Sequence, residues 1–363
     1  MKIIMDRRAE FLYQCSGMGT YSTMVWKFLQ NLSSPPCRIQ GLGELKKTTT
    51  DCFFWEHIMQ ERLSVPKCNI FFTPFNGIGN YVFSDKSCAV ISTVHDIIPY
   101  IMPQTVGKGY KEIFYKQMPH ILKNSAHIIT VSHNTKEDLM RIGNIDESKI
   151  TVIYCGVEAI FQPLPKTLTA NFLHNYYGFD FPYILYVGGF SARKNVTSIL
   201  QAFSRLNFRQ HPKLHIVLVG KPSPNQEKLQ KTSEKLNIAD RVIYLQNLPP
   251  QDMPYLYNGA SLFVYPSLYE GFGLPPLEAM ACGTPVIAAN NSSLPEVIGN
   301  AGILTNCNDI DDLAFNINLV LSSKITANAM SKRGILRAKG FSWQKNAEKT
   351  LKVFKKFAKF ADI

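Results

Sequence analysis

The chain has 363 residues, 45% of them hydrophobic and 18% charged, and its formal net charge at pH 7 is +12. The length favours two domains over one, and the composition is ordinary for a globular protein. No apolar run approaches about 18 residues, which argues against a membrane-spanning helix.

The positive charge bears on the choice of partner. It favours anions such as nucleoside diphosphates, acidic lipid headgroups or nucleic acid. No zinc-finger, homeodomain or RNP-type pattern occurs in the sequence, so we expect no nucleic-acid partner.

The cysteines and the first residues of the chain indicate the cellular compartment in which the protein is expected. The eight cysteines form no Cys-x-x-Cys pair, and several fall in apolar stretches, which predicts reduced, buried thiols. Residues 1–6 are typical of a short strand and not of the apolar core of a signal peptide. We therefore expect a cytoplasmic protein.

Strand and helix patterns alternate along the first half of the chain. Strands are predicted over residues 3–5, 38–42, 70–73, 89–94, 127–131 and 151–154. Helices are predicted over residues 21–32, 110–122 and 135–142. This alternation predicts an α/β fold in which crossover helices connect the strands of a parallel sheet.

Two glycines, Gly17 and Gly19, follow the first strand and open a helix. They match part of a dinucleotide-binding fingerprint, but Ser22 holds the place of its third glycine. The next acidic residue, Glu44, follows a Gly-Leu-Gly sequence that ends the second strand, so the strand itself does not end in an acidic residue. Both departures argue against NAD. A plain turn from strand to helix is the alternative interpretation.

His95 and Asp96 follow the strand at residues 89–94. Parallel sheets bind their ligands at the carboxyl ends of their strands, so this pair could orient a substrate hydroxyl. The alternative is a loop histidine whose hydrogen bonds are satisfied within the protein.

The domain boundary is expected within residues 158–181, where prolines interrupt the pattern and no clear strand is visible. We assign residues 1–165 to the first domain and residues 166–342 to the second. Gly156, just before the boundary, is expected to supply an unusual backbone angle.

The second half of the chain repeats the alternation. Strands are predicted over residues 183–187, 215–219, 242–245, 262–265, 286–288 and 302–304. The first of them leads into glycines, then into the adjacent bases Arg193 and Lys194 before a helix. Such bases suit the neutralisation of a diphosphate, and they would stabilise it as it departs with added charge. Ordinary surface charge is the alternative.

A second glycine turn follows the apolar run at residues 260–266. Gly271 and Gly273 allow a tight turn with bare backbone, and Pro275 and Pro276 suit the start of a short helix. A turn of this kind directs backbone N–H groups and the helix dipole at an anion.

Two carboxylates, Glu270 and Glu278, flank this turn, and Glu278 is expected in the first turn of the helix. Acids there would repel a phosphate, so we expect them to accept hydrogen bonds from neutral hydroxyls. A ligand with both an anion and hydroxyls is therefore indicated, and a sugar nucleotide fits. The alternative is that Glu278 complements the helix dipole and Glu270 is solvated.

These residues resemble a known family. Glu270 and Glu278, with seven residues between them and Gly-Phe-Gly-Leu-Pro over residues 271–275, resemble the signature of retaining glycosyltransferases of family 4. Residues 281–288 and 294–299 match the same pattern, and the resemblance is strongest over residues 183–305. It implies the GT-B fold, in which two Rossmann-like domains with parallel sheets face a central cleft and the second domain binds most of the donor.

The resemblance also implies roles for individual residues. Its donor-binding positions correspond to Gly17, Gly19, Gly189, Gly271, Phe272, Gly273, Leu274 and Glu278. Its catalytic positions correspond to His95, Lys194, Arg193 and Glu270, with a weaker acceptor-side role for Asp96. Many members carry arginine where this chain has Gly189, which leaves Arg193 as the nearby guanidinium.

The function so implied is transfer of a hexose from a GDP- or UDP-linked sugar, of mannose or glucose type, to a hydroxyl of a glycan or lipid-linked acceptor. We expect a role in polysaccharide biosynthesis, retention of configuration, no cofactor and no obligatory metal. Asp309 and Asp311 spell a metal-binding Asp-x-Asp, but they open a predicted helix, where acids are favoured. The alternatives are a nucleotide-sugar epimerase or hydrolase, or a non-catalytic subunit of the same fold.

The last stretch, residues 343–361, is predicted to form an amphipathic helix that in GT-B enzymes returns to the first domain. Its apolar positions recur every three or four residues, as expected of a buried helix face: Trp343, Ala347, Leu351, Phe354, Ala358 and Ala361. Its lysines indicate either peripheral contact with an anionic membrane at the inner face or a solvated surface.

Overall fold

The computed structural model describes residues 1–12, 16–32, 37–43, 62–76, 79–84 and 88–358. The chain divides into two compact units. Unit 1 consists of Met1–Gly156 and Ser342–Ile363, and unit 2 consists of Val157–Phe341.

Unit 1 is built on a parallel sheet, as the alternation of elements predicts. The strands in chain order are β1 (Lys2–Asp6), β2 (Arg38–Leu42), β3 (Arg62–Val65), β4 (Ile70–Thr73), β5 (Asn80–Phe83), β6 (Ala89–Val94), β7 (His127–Thr130) and β8 (Ile150–Val152). The sheet order is β2-β1-β4-β6-β7-β8, and β3 and β5 pair separately as a two-stranded parallel sheet. The strand order reverses between β1 and β4, where open α/β sheets form a crevice.

The helices of unit 1 that precede unit 2 in the chain cover this sheet. They are α1 (Arg8–Leu12), α2 (Gly17–Leu32), α3 (Ile98–Ile101), α4 (Lys108–Asn124) and α5 (His133–Gly143). Every residue of β4 and β7 is buried, as expected for a parallel sheet covered on both faces.

Unit 2 contains a second parallel sheet. Its strands are β9 (Tyr183–Val187), β10 (His215–Val219), β11 (Val242–Leu245), β12 (Leu262–Tyr265), β13 (Val286–Ala289) and β14 (Ile303–Thr305). Their order is β11-β10-β9-β12-β13-β14. The chain leaves β9 toward one edge and returns to β12 on the other side, so the switch point lies between β9 and β12.

The helices of unit 2 alternate with these strands. They are α6 (Lys166–Tyr177), α7 (Val196–Ser204), α8 (Asn225–Lys235), α9 (Met253–Gly259), α10 (Leu274–Ala281), α11 (Leu294–Ile298), α12 (Ile310–Ser322) and α13 (Lys324–Ala338). None of the helices in the described part of the chain is both long and apolar enough to cross a bilayer.

The last described helix, α14 (Trp343–Ala358), belongs to unit 1. It packs on α2 and on the sheet: the ring centroids of Trp343 and Tyr21 are 5.8 Å apart, and those of Phe354 and Phe72 are 5.0 Å apart. Val353 is buried where Leu351 was expected, because the buried face of the helix is turned slightly from the predicted one. Ala361 lies outside the described residues.

The division of the chain lies earlier than the expected boundary at residue 165. Residues between Gly156 and that position are tied to unit 2: the Leu164 amide donates to the Asn258 side chain at 2.8 Å, and Phe161 packs edge-on against Tyr257. The prolines of this loop therefore interrupt secondary structure without marking the point where the chain changes units.

Gly156 is required for a reason other than the expected backbone angle. It is not among the described residues with positive φ. A Cβ at this position would lie 2.2 Å from the Trp343 backbone nitrogen and 2.6 Å from the Ser342 carbonyl carbon. Glycine is needed here because two segments of backbone approach closely.

Candidate active site

Three charged side chains meet at the switch point of unit 2. Arg193 and Lys194 lie in a short helical turn after β9, and Glu270 lies in the loop after β12. The Glu270 Oε1 atom is 2.6 Å from Lys194 Nζ and 3.1 Å from Arg193 Nη1. The fold thus brings together three of the four residues predicted to be catalytic, at the place where such sheets bind ligands.

Hydrogen bonds join the two loops that carry these charges. The Leu268 amide donates to the Arg193 carbonyl at 2.8 Å, and the Arg193 guanidinium donates to the Tyr269 carbonyl. Lys194 Nζ also contacts the Tyr265 hydroxyl at 2.8 Å, at the carboxyl end of β12. Both cations are therefore positioned by groups other than Glu270.

The Glu270 backbone is held from a third loop, the one that follows β13. The Glu270 amide donates to Ser292 Oγ at 2.9 Å. The fully buried Ser293 hydroxyl shares its one proton between the carbonyl oxygens of Phe272, at 2.6 Å, and Glu270, at 2.9 Å. Sequence reasoning missed both serines; their position just after a predicted strand was the available signal.

The two cations control the ionisation of Glu270. Burial alone would raise the pKa of this carboxyl, but Lys194 and then Arg193 outweigh it and lower the pKa to about 2. Glu270 is therefore a carboxylate at any physiological pH. It can accept hydrogen bonds but cannot act as a general acid there.

The glycine turn begins α10 as the sequence predicts. Gly273 has a φ of +119° and precedes the first helical residue, and a Cβ there would lie 2.9 Å from the Leu294 side chain. The side chains of Phe272 and Leu274 are buried. These two predicted donor-binding residues therefore pack their side chains into the protein interior.

Glu278 lies in the second turn of α10, not in the first turn as expected. The helix begins at Leu274, earlier than the two prolines suggest, because Gly273 already adopts the turning conformation. The Tyr257 hydroxyl donates to Glu278 Oε2 at 2.7 Å. Burial raises the pKa of Glu278 to about 7; the Tyr257 hydrogen bond opposes this and the nearby Glu158 adds to it.

The turn after β9 presents open backbone. The Tyr186 hydroxyl donates to the Gly189 carbonyl at 2.7 Å. A Cβ added to Gly189 would meet no atom within 4 Å. Gly189 therefore leaves space beside the charged cluster for a ligand to approach.

The fourth predicted catalytic residue, His95, lies in unit 1 at the end of β6. It is buried, and its Nε2 is 2.8 Å from the Pro74 carbonyl oxygen. Because a carbonyl only accepts, we place the ring proton on Nε2. Burial lowers the pKa of His95 to about 4, so the imidazole is neutral at pH 7. Asp96 Oδ1 accepts from the Ile98 amide at 3.1 Å, at the first residue of α3.

Gly17 and Gly19 also lie in unit 1, in the first turn of α2. The Gly19 amide donates to Ser16 Oγ at 3.3 Å, which caps the helix. The two glycines therefore open a helix, as the sequence predicts. Gly19 is buried and Gly17 is exposed.

The Asp-x-Asp sequence serves as a helix cap. Asp309 Oδ1 accepts from the amides of Asp311 at 3.1 Å and Asp312 at 3.0 Å, at the start of α12. This confirms the interpretation as a cap. Among the described residues, no group of three or more His, Cys, Asp or Glu side chains is placed to hold a metal ion.

Both halves of the chain match known families. Residues 178–337 match the family described as "Glycosyl transferases group 1", and residues 54–159 match "Glycosyltransferase Family 4". The first match includes Arg193, Lys194, Glu270 and Glu278.

Curated relatives agree with these matches. The "O-antigen chain mannosyltransferase B" of Escherichia coli is 31% identical over 76% of this chain and 72% of its own length. The "Serotype-specific mannosyltransferase WbdA" of Escherichia coli is 26% identical over 73% of this chain, which spans only 33% of that larger relative.

Solved structures show the same fold. Sucrose-phosphate synthase from Thermosynechococcus elongatus aligns with a TM-score of 0.76 and 20% identity, covering 98% of both chains. HepE of Anabaena, solved in complex with UDP and glucose, aligns with a TM-score of 0.72 and 14% identity over 98% of this chain and all of its own. The predicted GT-B fold, with two Rossmann-like domains, is confirmed. The chain belongs to the glycosyl transferases group 1, in glycosyltransferase family 4, and is a glycosyltransferase.

Proposed function

We propose that the protein is a retaining mannosyltransferase that moves the sugar from a nucleoside diphosphate donor to a hydroxyl of a growing glycan. The observation that carries the proposal is the cluster of Lys194, Arg193 and Glu270 at the switch point of unit 2, beside the open backbone at Gly189. Mannose is the first candidate because two relatives are named O-antigen chain mannosyltransferases and a third is named a serotype-specific mannosyltransferase.

The charges of the cluster suit the two parts of such a donor. Lys194 and Arg193 would hold the diphosphate and stabilise the charge that it gains on leaving. Glu270, fully ionised, would accept hydrogen bonds from the sugar, and Glu278 would accept them from the ribose. Because two fixed cations neutralise the diphosphate, we propose that transfer needs no metal ion and no cofactor.

Retention is proposed to follow from transfer on one face of the sugar. The departing phosphate oxygen would take the proton of the acceptor hydroxyl, while Lys194 and Arg193 stabilise the charge that remains. His95 is proposed to contact the transferred sugar and Asp96 the acceptor, as the family resemblance implies. As a neutral imidazole, His95 would act through hydrogen bonds and not as a cation.

The decisive experiment measures release of nucleoside diphosphate from GDP-mannose, and from UDP- and dTDP-sugars in parallel, with and without a mannose-containing oligosaccharide acceptor. A transferase releases the diphosphate only when the acceptor is present. Release without acceptor would indicate a hydrolase, and conversion of the sugar without release would indicate an epimerase. Thermal stabilisation by donor without any turnover on a panel of acceptors would favour a non-catalytic subunit.

The ionisation of Glu278 predicts how donor binding depends on pH. Only the carboxylate form offers both oxygens to the ribose hydroxyls, and the pKa of Glu278 in the free protein is raised to about 7 by burial. The donor KM should therefore rise by about fivefold between pH 7 and pH 6, because the carboxylate fraction of a group with a pKa of about 7 falls from about one half to about one tenth over that interval. Steady-state kinetics from pH 6 to 8 measures this. A Glu278→Gln variant should lose the dependence, and a wild-type KM that stays flat over this range would contradict the assignment.

An anionic membrane is proposed as a second partner, bound by the lysine face of α14: Lys345, Lys349, Lys352, Lys355 and Lys356. All five side chains are exposed, with Glu348 the acidic residue among them. Lysines near an anionic surface contribute about 1 kcal/mol each, and the opposite helix face is buried in unit 1.

Sedimentation with vesicles that contain anionic lipid, at low salt, tests this contact. Replacing Lys349, Lys352 and Lys356 with glutamine should abolish most of the pelleting. The matched control replaces three exposed lysines of α8, Lys228, Lys231 and Lys235, which removes the same charge from another surface. Equal pelleting on neutral vesicles, or equal loss in both variants, would contradict a specific role for the lysine face.

A further inference from the structure

We propose that Glu270 competes with the diphosphate for Lys194 and Arg193 and thereby promotes release of the nucleoside diphosphate product. The inference rests on the proposed function, because it concerns the product of that reaction. It assigns Glu270 a second task in addition to contact with the sugar.

The geometry of the cluster is the starting point. A single oxygen, Glu270 Oε1, contacts Lys194 Nζ at 2.6 Å and Arg193 Nη1 at 3.1 Å. The side chains are only 10%, 14% and 16% exposed for Glu270, Lys194 and Arg193 respectively. Ion pairs shielded from water in this way are screened little. A diphosphate that binds these cations must therefore share them with a carboxylate that already occupies them.

Intact donor and product differ in what they offer Glu270. The donor brings sugar hydroxyls, which can donate to the carboxylate when the cations turn toward the diphosphate. The product has lost the sugar, so it leaves Glu270 without that compensation. It also carries about three negative charges near pH 7, against about two for the donor, because a terminal phosphate has a pKa near 6. Glu270 therefore opposes product binding more than donor binding.

The competition can be tested by removing the charge of Glu270, because other contacts hold the two cations and the Glu270 backbone in place. Without the Glu270 charge, Lys194 still has the Tyr265 hydroxyl at 2.8 Å, and Arg193 still has the Tyr269 carbonyl. The Glu270 backbone is anchored by Ser292 and Ser293 through bonds that do not involve the carboxylate. A glutamine at this position should keep the site folded while leaving both cations available.

The experiment measures the dissociation constants of GDP and UDP by calorimetry for the wild type and for Glu270→Gln. We expect the variant to bind the preferred diphosphate on the order of tenfold more tightly, the effect of one charged hydrogen bond. The inhibition constant of that diphosphate as a product should fall by the same factor. Glu270→Asp keeps the charge and should not tighten binding, and Glu278→Gln, which lies outside the ion cluster, should not tighten it either.

The outcomes separate this inference from the proposed function. Equal or weaker diphosphate binding by a folded Glu270→Gln variant would overturn the competition while leaving the transferase proposal intact. Tightening in Glu270→Asp as well would also overturn it, because the charge would then not be the cause. If the wild type bound no nucleoside diphosphate at all, the proposed function itself would fail.

Discussion

Replacing Lys194 with alanine is expected to weaken binding of the free nucleoside diphosphate by about 10- to 150-fold, the range that corresponds to one charged hydrogen bond of about 1.5–3 kcal/mol. Lys194 is the nearer of the two cations to Glu270, and its side chain is only 14% exposed. Water cannot readily replace its ammonium group there. Turnover should fall as well, because the diphosphate gains charge as it leaves.

Calorimetry with GDP and UDP, followed by steady-state kinetics with an accepted donor, measures both effects. Lys228→Ala, an exposed lysine of α8, is the matched control for the loss of one positive charge. Thermal unfolding of both variants shows whether the fold is intact. A folded Lys194→Ala protein with wild-type affinity for the diphosphate would place Lys194 outside the donor site.

Replacing each of the two glutamates with glutamine is expected to change different kinetic constants. Glu278 is assigned to the ribose, which is the same in the ground state and the transition state, so its loss should raise the donor KM on the order of tenfold with little change in kcat. Glu270 is assigned to the sugar ring, which flattens as the glycosidic bond breaks. Its loss should lower kcat by about 10- to 150-fold, the range for one charged hydrogen bond.

Glutamine keeps the size of the side chain and one acceptor oxygen, so the comparison isolates the charge. A pre-steady-state measurement adds a further distinction for Glu270→Gln. A loss in the transfer step gives no burst of product, whereas slow release of the diphosphate gives a burst. Full turnover with only a weakened donor affinity would contradict the placement of the sugar beside Glu270.

Much of the fold is predictable from the sequence because the inner strands of both sheets are largely buried on both faces. Such strands appear as short apolar runs, and the predicted limits of β9, β10, β11 and β12 agree with the structure. The strands β3 and β5 escape prediction because they form a separate two-stranded sheet. Residues in β5 alternate between exposed and partly buried positions, so no apolar run marks that strand.

The chemistry of the site is predictable where adjacent residues carry it. Arg193 with Lys194, and Glu270 beside its glycine turn, are visible as local patterns. The anchors Ser292 and Ser293 are not, because their contacts depend on the loop after β13 lying beside the loop after β12. That proximity is a property of strand order, which no local pattern records.

Glycine is the residue whose purpose the sequence leaves most open. Gly273 does adopt the turning conformation that its motif suggests. Gly19, by contrast, lies within a helix, and Gly156 makes room for another segment of backbone. From the sequence alone, a glycine that allows an unusual φ angle cannot be distinguished from one that allows two segments of backbone to approach closely.

The path of the chain through the two units has a consequence for how the protein is made. Unit 2 is one uninterrupted stretch, Val157–Phe341, whereas unit 1 needs Ser342–Ile363 to supply α14. A ribosome synthesises the chain from its amino terminus, so the middle of the polypeptide is complete before the segment that covers Tyr21 and Phe72 has emerged. Unit 1, whose synthesis begins first, is therefore completed last. Until α14 is made, Tyr21 and Phe72 lack its cover and are open to the chaperones and proteases that recognise unfinished chains.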